Sequence, residues 1–346
     1  MSIRERTISD LTRRRLANFR ANRRGYWSLW IVGVLFLFSL GAELIANDRP
    51  LLVSFKGALY APFARDYPET VFGGTFETAA DYSDPFVRDA ITAEGWILWP
   101  LIPFSDGTVD FTPDQPAPAR PSSRHWLGTD NQGRDVAARL IYGFRISMVF
   151  ALALTLLSSM AGVVAGAVQG YFGGLTDLVL QRFIEIWSGL PQLFILIILS
   201  SIVAPGFWTL LIVMLLFSWT ALVAVVRAEF LRARNLDFVR AARALGMSDL
   251  GIMVKHVLPN AMVATVTFLP FILSGAVAAL TSLDFLGLGL PPGSPSLGEL
   301  LREGKESLQA PWLGITGFIA VAGMLTAFVF IGEAVRDALD PRRMGA

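Results

Sequence analysis

Long stretches without Asp, Glu, Lys or Arg alternate with charged segments and predict how the chain is organised. Five such stretches occur, and the third of them, at 41 residues, is long enough for two membrane crossings: 25–42, 146–176, 186–226, 257–283 and 307–332. A helix needs about 20 apolar residues to cross the hydrocarbon layer. The third stretch divides at Ala204-Pro205-Gly206, because proline removes a hydrogen-bond donor and glycine relaxes the backbone. We therefore predict six transmembrane helices, at about 26–46, 146–170, 182–204, 206–227, 261–283 and 313–334.

The positions of the basic residues predict the orientation of these spans. Lys and Arg in short loops mark the cytoplasmic side of a membrane protein, and residues 1–25 hold eight arginines. Six crossings then return the C-terminus to the cytoplasm. Basic residues in the loop after the fourth span and at the C-terminus agree with this topology: Arg227, Arg232, Arg234, Arg240, Arg243, Lys255, Arg336, Arg342 and Arg343.

Three arginines conflict with this orientation, because Arg134, Arg139 and Arg145 precede the second span on the outer side. They end a loop of about a hundred residues, and long loops are translocated largely regardless of charge. The loop contains strand-like fragments, turns and a Pro-rich linker at 113–123. It predicts a small extracytoplasmic domain, with a plain spacer as the alternative. The predicted organisation is a basic cytoplasmic N-terminus (1–25), a first span (26–46), a periplasmic loop or domain (47–145) and a membrane core (146–340).

Composition agrees with an integral membrane protein. Of 346 residues, 53% are hydrophobic and 16% are charged, against about a quarter charged in soluble domains. The net charge of +1 gives no electrostatic reason to expect nucleic acid. Cysteine is absent and histidine occurs only at 125 and 256, which leaves no material for disulfides, thiolate chemistry or a His/Cys zinc site.

Candidate chemistry is sparse. The segment GELLREGKES, 298–307, departs from the phosphate-binding loop pattern and predicts a loop with a short helix. Neither histidine has a carboxylate at a ligand-like spacing. Ionisable residues near the spans lie at their ends (Glu43, Glu185 and Asp284), where snorkelling or capping is the preferred interpretation. We expect no catalytic, cofactor-binding or metal site, so another subunit would supply the energy. Two alternatives stay open: an ion-coupled carrier and a membrane-bound enzyme with a site in the outer loop.

A charged segment between the fourth and fifth spans, FVRAARALGMSDLGIMVKHVLPNA, is unlike the apolar sequence around it. Asp237 predicts the cap of a helix that continues through Leu245, and Gly246 predicts a left-handed end. Ser248 predicts the start of a second helix that stops before Pro259. On the first helix an apolar stripe is predicted, while Arg240 and Arg243 point elsewhere: Phe238, Ala241, Ala242 and Leu245. Such a protruding helix could enter a partner's groove or lie on anionic lipid.

Ala241-Ala242, Gly246 and Leu258-Pro259 resemble the cytoplasmic loop motif of ABC-importer permease subunits. Arg240 and His256 depart from the broad motif but resemble the oligopeptide and dipeptide branch. Two further segments resemble that branch, HWLGTDNQGRDVAARLIYGFRIS at 125–147 and SLDFLGLGLPPGSPSLGELL at 282–301. More narrowly, RRGYWSLW, ELIANDRPLL and the long outer loop resemble permeases for peptides and the peptide antibiotic microcin C.

The resemblance implies an all-α, type I importer permease fold in the bacterial inner membrane, in which the last five spans form the core. It also implies a second homologous permease, two ABC ATPase domains that bind ATP and Mg²⁺, and a periplasmic peptide-binding protein. The helix pair at 237–260 would couple to the ATPases. The residues implied in that coupling are Phe238, Arg240, Ala241, Ala242, Leu245, Gly246, Met247, Ser248, Leu258 and Pro259.

Overall fold

A computed structural model describes residues 10–111 and 116–340 of the chain. The residues 113–115 of the predicted linker and the arginines at 4, 6, 342 and 343 lie outside the described residues. The helices are α1 Asp10–Ala21, α2 Arg23–Leu40, α3 Ala42–Ile45, α4 Pro85–Glu94, α5 Val136–Phe172, α6 Gly174–Ser188, α7 Gln192–Ile202, α8 Phe207–Ser218, α9 Thr220–Ala233, α10 Asp237–Ala244, α11 Asp249–Ile252, α12 Leu258–Phe285, α13 Leu297–Glu306 and α14 Pro311–Leu339. Three strands are described, β1 Leu52–Phe55, β2 Ala58–Tyr60 and β3 Gly95–Leu98.

Among the described residues, four helical segments are long and apolar enough to cross a membrane: α5, the continuous runs Phe207–Ala233 and Asp249–Phe285, and α14. The third predicted span is instead a bent pair, because α6 and α7 meet at 67°. Pro191 precedes the first residue of α7, and its missing N–H interrupts the helical hydrogen bonds there. Helix α2 has 18 residues, of which two are arginines, and falls short of the other spans. Several crossings are therefore supported, and the number six stays a prediction.

The closest helix packing is between α5 and α9, where α5 carries glycines at every fourth position. A Cβ atom on Gly162 or Gly170 would lie 2.5 Å from the carbonyl oxygen of Trp219 or Arg227, respectively. The same atom on Gly166 would lie 2.7 Å from the oxygen of Val223. These glycines allow the backbones of the two helices to approach closely.

Helix α2 packs against α14, with the start of α2 beside the end of α14. The side chain of Asn22 donates to Asp337 over 3.3 Å, and a Cβ atom on Gly25 would overlap that of Ala334. Leu37 and Phe38, on the other side of α2, are exposed. Helix α2, which corresponds to the first predicted span, therefore lies on the outside of the bundle.

Helix α5 connects two distinct ends of the molecule. Its 37 residues correspond to about 55 Å at 1.5 Å per residue. Val136, in its first turn, packs with Leu313 near the start of α14, and Tyr171, in its last turn, packs with Val239 of α10. We call the first the insertion end, because residues 46–111 and 116–135 lie there, and the second the loop end, because residues 235–257 lie there.

The insertion contains a small antiparallel sheet, so the all-α prediction is wrong for this part of the chain. The strand order is β2-β1-β3, and β1 and β2 form a hairpin through Lys56 and Gly57, both with positive φ. Alternating apolar residues place one sheet face in a core with α4 and the aromatic ring of Phe72. The main buried members of that core are Val53, Phe55, Phe72, Val87 and Ile91. This segment is folded around its own core.

Candidate functional site

The charged segment at the loop end forms the predicted bend. Helix α10 begins at Asp237, with Leu236 as its N-cap, so the predicted cap is displaced by one residue. Gly246 has φ of 80°. The N–H of Gly246 donates to the backbone carbonyl of Arg243 over 3.0 Å, and the N–H of Met247 donates to that of Ala242 over 3.1 Å. This pair of bonds is the Schellman motif, in which glycine takes the left-handed position at the helix end.

The predicted apolar stripe of α10 divides between the inside and the outside of the protein. Ala242 is buried, beside Val239, in a core cluster formed with α5, α9 and the start of α12, so it is unavailable to a partner. Phe238 and Ala241 are exposed, and Leu245 is 87% exposed. Val239 was not among the predicted site residues. It fixes α10 to the bundle and leaves the other apolar side chains outward.

Beyond the bend, two more members of the predicted site, Met247 and Ser248, lie on the surface. Leu250, which the sequence had not singled out, is exposed there too. The hydroxyl oxygen of Ser248 accepts a hydrogen bond from Gly251 N–H, which confirms the predicted start of the second helix. Arg240 is also exposed. Together, the bend presents a surface with large apolar side chains and a neighbouring cation.

The second helix does not stop before Pro259, so that prediction is wrong. Residues Asp249–Phe285 form one helical run, with a π-helical turn at Met253–Val257. Proline lacks an N–H and its ring clashes with a carbonyl one turn earlier, and the wider π turn just upstream accommodates it. Leu258 packs against the loop-end core, while Pro259 is exposed. The segment after Gly246 is therefore the start of a membrane-spanning helix.

A polar contact joins the bend to the end of α5. The Tyr171 hydroxyl donates to Asp249 over 2.6 Å and accepts from Arg243 over 3.0 Å. Asp249 follows the bend and Arg243 precedes it, so one tyrosine connects both sides. Hydrogen bonding to Tyr171 raises the pKa of the Arg243 guanidinium, which stays charged. The polar cleft beside this contact measures about 560 Å³ and also borders Arg234 and Asn235.

The insertion end contains a buried ionic cluster that was not predicted. Arg134 Nε lies 2.6 Å from Asp130 Oδ2 and Arg139 Nη1 lies 3.3 Å from the same oxygen. Both guanidinium groups also lie within 3.5 Å of Glu303 Oε1. Burial is the main cause that raises the pKa of Glu303 to about 7; Asp130 adds to it, and the two arginines oppose it. The cluster joins the start of α5 to α13.

His125 lies next to this cluster. The ring is 3% exposed, with Nδ1 2.8 Å from Asp135 and Nε2 3.1 Å from Asp110. Burial lowers its pKa, but hydrogen bonds to the two carboxylates outweigh that effect and raise it. The two carboxylates contact opposite ring nitrogens, so the three groups do not converge on one ion. The sequence gives His125 no carboxylate at a ligand-like spacing, and its two carboxylate partners come from positions 10 and 15 residues away.

The ionisable residues near the ends of the spans have local partners. Asp284 Oδ1 accepts from the backbone N–H of Leu290 over 2.7 Å. Glu43 pairs with Arg145 over 2.8 Å, and Glu185 pairs with Arg182. The cap made by Asp284 agrees with the predicted capping, whereas the ion pairs of Glu43 and Glu185 were not predicted. The segment GELLREGKES lies mostly in α13, capped by Ser296, which confirms the predicted short helix.

Known proteins resemble this chain over nearly its whole length. A family model described as "Binding-protein-dependent transport system inner membrane component" matches residues 158–345. The inner membrane ABC transporter permease protein YejE of Escherichia coli K12 is 58% identical, covering 97% of this chain and 98% of its own length. The peptidoglycan transport system permease protein YejE of Agrobacterium fabrum is 56% identical, covering 97% and 94%. The oligopeptide transport system permease protein OppC of Lactococcus lactis is 35% identical over 63% of this chain and 76% of its own.

Proposed function

The chain belongs to the family of binding-protein-dependent transport system inner membrane components, and from this premise we propose that it is the permease subunit of an ATP-driven importer of peptides or peptide-like compounds. The resemblance to the oligopeptide branch is confirmed by the similarity to the two YejE permeases and to OppC. Since these relatives are named for peptidoglycan and oligopeptide transport, peptide fragments are the proposed substrates. Compounds of the microcin C type, which the sequence resemblance implies, belong to the same class.

An ATPase subunit would bind at the loop end, and the exposed apolar bend is the observation that carries this proposal. Phe238, Leu245 and Leu250 are 40%, 87% and 70% exposed. Two features show that this surface is rigid: the Schellman bend, and the contact of Tyr171 with both sides of it. A rigid surface with large apolar side chains suits a groove in a partner. ATP and Mg²⁺ would bind to that partner.

Charge supports a cytoplasmic loop end. Basic residues from several helices gather there: Arg23, Arg24, Arg232, Arg234, Arg240, Arg243 and Lys255. At the insertion end, the three arginines that conflict with the orientation are neutralised by Asp130, Glu303 and Glu43. The positive-inside rule therefore favours cytoplasmic termini and a periplasmic insertion. A soluble binding protein would deliver peptide at the insertion end.

Movement of the ATPases would reach the membrane through the bend. Helix α10 joins the run Asp249–Phe285 through Gly246, and that run continues into the bundle without a break. ATP-driven closure of the ATPases would displace α10 and tilt this run. The result would be a shift in population between inward-facing and outward-facing states.

A second permease subunit would pack on the bent pair α6–α7. No residue of α6 is buried, and Leu196 is the only buried residue of α7. The pair nevertheless carries Arg182 and Glu185, which bond to each other within an otherwise apolar stretch. Exposed charges at membrane depth are costly in lipid. A homologous permease would cover them and complete a pathway between two subunits.

The two alternative functions have weaker support. A membrane-bound enzyme would need an open site in the insertion, whereas His125 is enclosed by two carboxylates and stacked on Phe104. An ion-coupled carrier would use ionisable groups inside the spans. The buried polar side chains without partners near the middle of the described spans are neutral hydroxyls, those of Thr155 and Ser159.

The decisive test is capture of the ATPase. Leu245→Asp should abolish co-purification of the ATPase with the assembled permease and stop ATP-dependent peptide uptake, because it places a charge in the proposed contact. Leu308→Asp is the matched control, since Leu308 is 83% exposed at the insertion end, and it should retain the ATPase. If the Leu245 variant retained both the ATPase and uptake, the docking role of the bend would be wrong. Uptake by the isolated chain, driven by protons or sodium, would instead favour the carrier.

A further inference from the structure

We propose that one face of the small sheet in the insertion rests on the membrane surface and contacts lipid. The face, here named the outer sheet face, consists of Leu52, Ser54, Leu59, Trp96 and Leu98. The inference depends on the helices crossing a membrane, but it is independent of what the chain transports.

The strand register places these five side chains together. Ser54 is paired with Leu59 on one side and with Trp96 on the other, and Leu52 is paired with Leu98. Directly opposite residues in antiparallel strands point to the same face, and so do residues two apart. The other face of the sheet is the one that packs on α4. The four large apolar residues of the outer sheet face are 37 to 69% exposed.

The outer sheet face is continuous with the lipid-facing surface of the helices. Strand β3 ends at Leu98, and four residues later Ile102 N–H donates to the carbonyl of Ile45, at the end of α3, over 2.9 Å. Tyr142 of α5 donates to the carbonyl of Ala46 over 2.9 Å, which fixes this junction to the bundle. Leu101, at the junction, is 68% exposed. Exposed apolar surface therefore continues from α2 across the junction to the sheet.

The sheet also lies at the depth of the lipid headgroups. Between Arg24 and Glu43 there are 19 residue steps, or about 30 Å of helix, which matches the hydrocarbon thickness. Glu43 and Arg145, paired over 2.8 Å, mark the polar boundary. The headgroup region extends about 5–8 Å further. The four residue steps from Ile102 back to Leu98 span at most about 14 Å. The Leu98 end of β3 therefore lies at or just above the headgroup layer.

The chemistry of the face suits lipid better than a soluble protein. Trp and Leu are favoured where headgroups meet acyl chains, and none of the five side chains is charged. Lys56, in the hairpin turn, pairs with Glu94 over 3.8 Å, so the apolar side chains alone carry the inference. We infer that the insertion contacts the bilayer through this face.

Site-directed labelling can test the contact, because the chain has no cysteine of its own. Nitroxide labels would be placed at Leu59→Cys and Trp96→Cys in the full transporter, reconstituted in vesicles of phosphatidylethanolamine and phosphatidylglycerol. Phe86→Cys is the matched control, because Phe86 is 57% exposed on α4, on the opposite side of the sheet. Leu37→Cys, on the exposed side of α2, reports a lipid contact.

For each label we would measure the ratio of its collision rate with oxygen to its collision rate with a water-soluble nickel chelate. We expect this ratio to be several-fold higher at 59 and 96 than at 86. Their values should lie between those at 86 and 37. Equal values at 59, 96 and 86 would overturn the proposal. The proposal would also be overturned if the labels at 59 and 96 were shielded from the nickel chelate only when a soluble binding protein is added. The same holds if that shielding persisted after transfer of the transporter into a lipid-free amphipathic polymer. Either result would assign the face to a protein neighbour. Peptide uptake by the same variants separates this outcome from a failure of the proposed transport function.

Discussion

The two ends of α5 use charged and apolar residues in opposite ways. At the insertion end, Asp130, Arg139 and Glu303 are buried and paired with one another. At the loop end, Phe238 and Leu245 are exposed, while the core is formed mainly by alanines and aliphatic side chains, together with Tyr171 and Phe230. A buried charge needs its partners within the same chain, and an exposed large apolar side chain gains from a partner outside it. The charges of the first end are therefore satisfied within the chain, and the apolar side chains of the second are those that the proposed ATPase contact would cover.

The largest expected effect is at the insertion end. Asp130→Asn would leave two buried guanidinium groups with one carboxylate, and breaking such a buried pair costs about 3–5 kcal/mol in the free energy of unfolding. Thermal unfolding of the purified subunit would measure the loss. Asp89→Asn is the control, because the ion pair of Asp89 with Arg88 is exposed and should contribute less than about 1 kcal/mol. Equal stability of the two variants would show that the cluster does not hold this end together.

A smaller effect is expected where α5 connects the two ends. A Cβ atom on Gly170 would lie 2.5 Å from Arg227 O and from Phe230 Cβ. Gly170→Ala should therefore separate α5 from α9 and destabilise the protein by about 1–3 kcal/mol. At Gly275 a Cβ atom meets nothing within 4 Å, so Gly275→Ala should stabilise its helix by up to about 1 kcal/mol. Thermal unfolding should show shifts of opposite sign; the same sign for both would contradict the close packing.

At the loop end, the effect on stability should be smaller and the effect on transport large. Gly246→Val forces a β-branched residue into a left-handed conformation, at a cost of about 1–2 kcal/mol. We expect membrane insertion to remain while ATP hydrolysis is uncoupled from peptide uptake. Both rates can be measured in vesicles. Gly246→Asn, which tolerates this conformation, should keep them coupled. Normal uptake by the valine variant would remove Gly246 from the coupling mechanism.

The smallest expected effect is on the pH dependence of stability at the insertion end. The pKa of Glu303 is raised from 4.5 to about 7 in the folded protein. Its stabilising contribution to the free energy of unfolding is therefore fully present below pH 4.5 and is lost as the pH rises to about 7. The raised pKa of His125 acts in the same direction, starting from its usual 6.5. The Tm should fall between pH 5 and pH 8.

Glu303→Gln should remove the part of this fall that lies below pH 7, because glutamine does not titrate. Glu94→Gln is the control, since the Glu94 side chain is 52% exposed. If both variants kept the same pH profile as the parent chain, the buried carboxyl group would not be its source.

Local features were predictable because their causes lie within a few residues. The sequence around Gly246 predicts a left-handed helix end, and the structure has it there. The continuation of the helix that starts at Asp249 through Pro259 was missed, because proline usually ends a helix and the π turn before it leaves no mark in the sequence pattern. The break at Pro191 was missed because the apolar sequence continues on both sides of it.

The ionic cluster depends on residues that are far apart in sequence, and periodicity contains no information about it. Arg134 and Glu303 are separated by 169 positions. One signal was present: Arg134, Arg139 and Arg145 contradicted the charge rule for an outer loop. In the structure each of these arginines is paired with a carboxylate of the same chain. Arginines that conflict with the positive-inside rule can therefore indicate acidic partners elsewhere in the sequence. Likewise, Ala242 could not be separated from its exposed neighbours without knowing where α10 meets the bundle.

The helical run that starts at Asp249 and ends at Phe285 has a mechanical consequence. A tilt of about 10° around the centre of such a rod, about 55 Å long, would carry each tip about 5 Å in opposite directions. One tip follows the bend at Gly246, and the other holds Asp284, whose carboxylate caps the turn that leads to α13. A displacement of the Asp249 end of the run in one direction would thus move the Phe285 end in the opposite direction. Pro270, close to the centre of the rod, is where a pivot would require the least bending work.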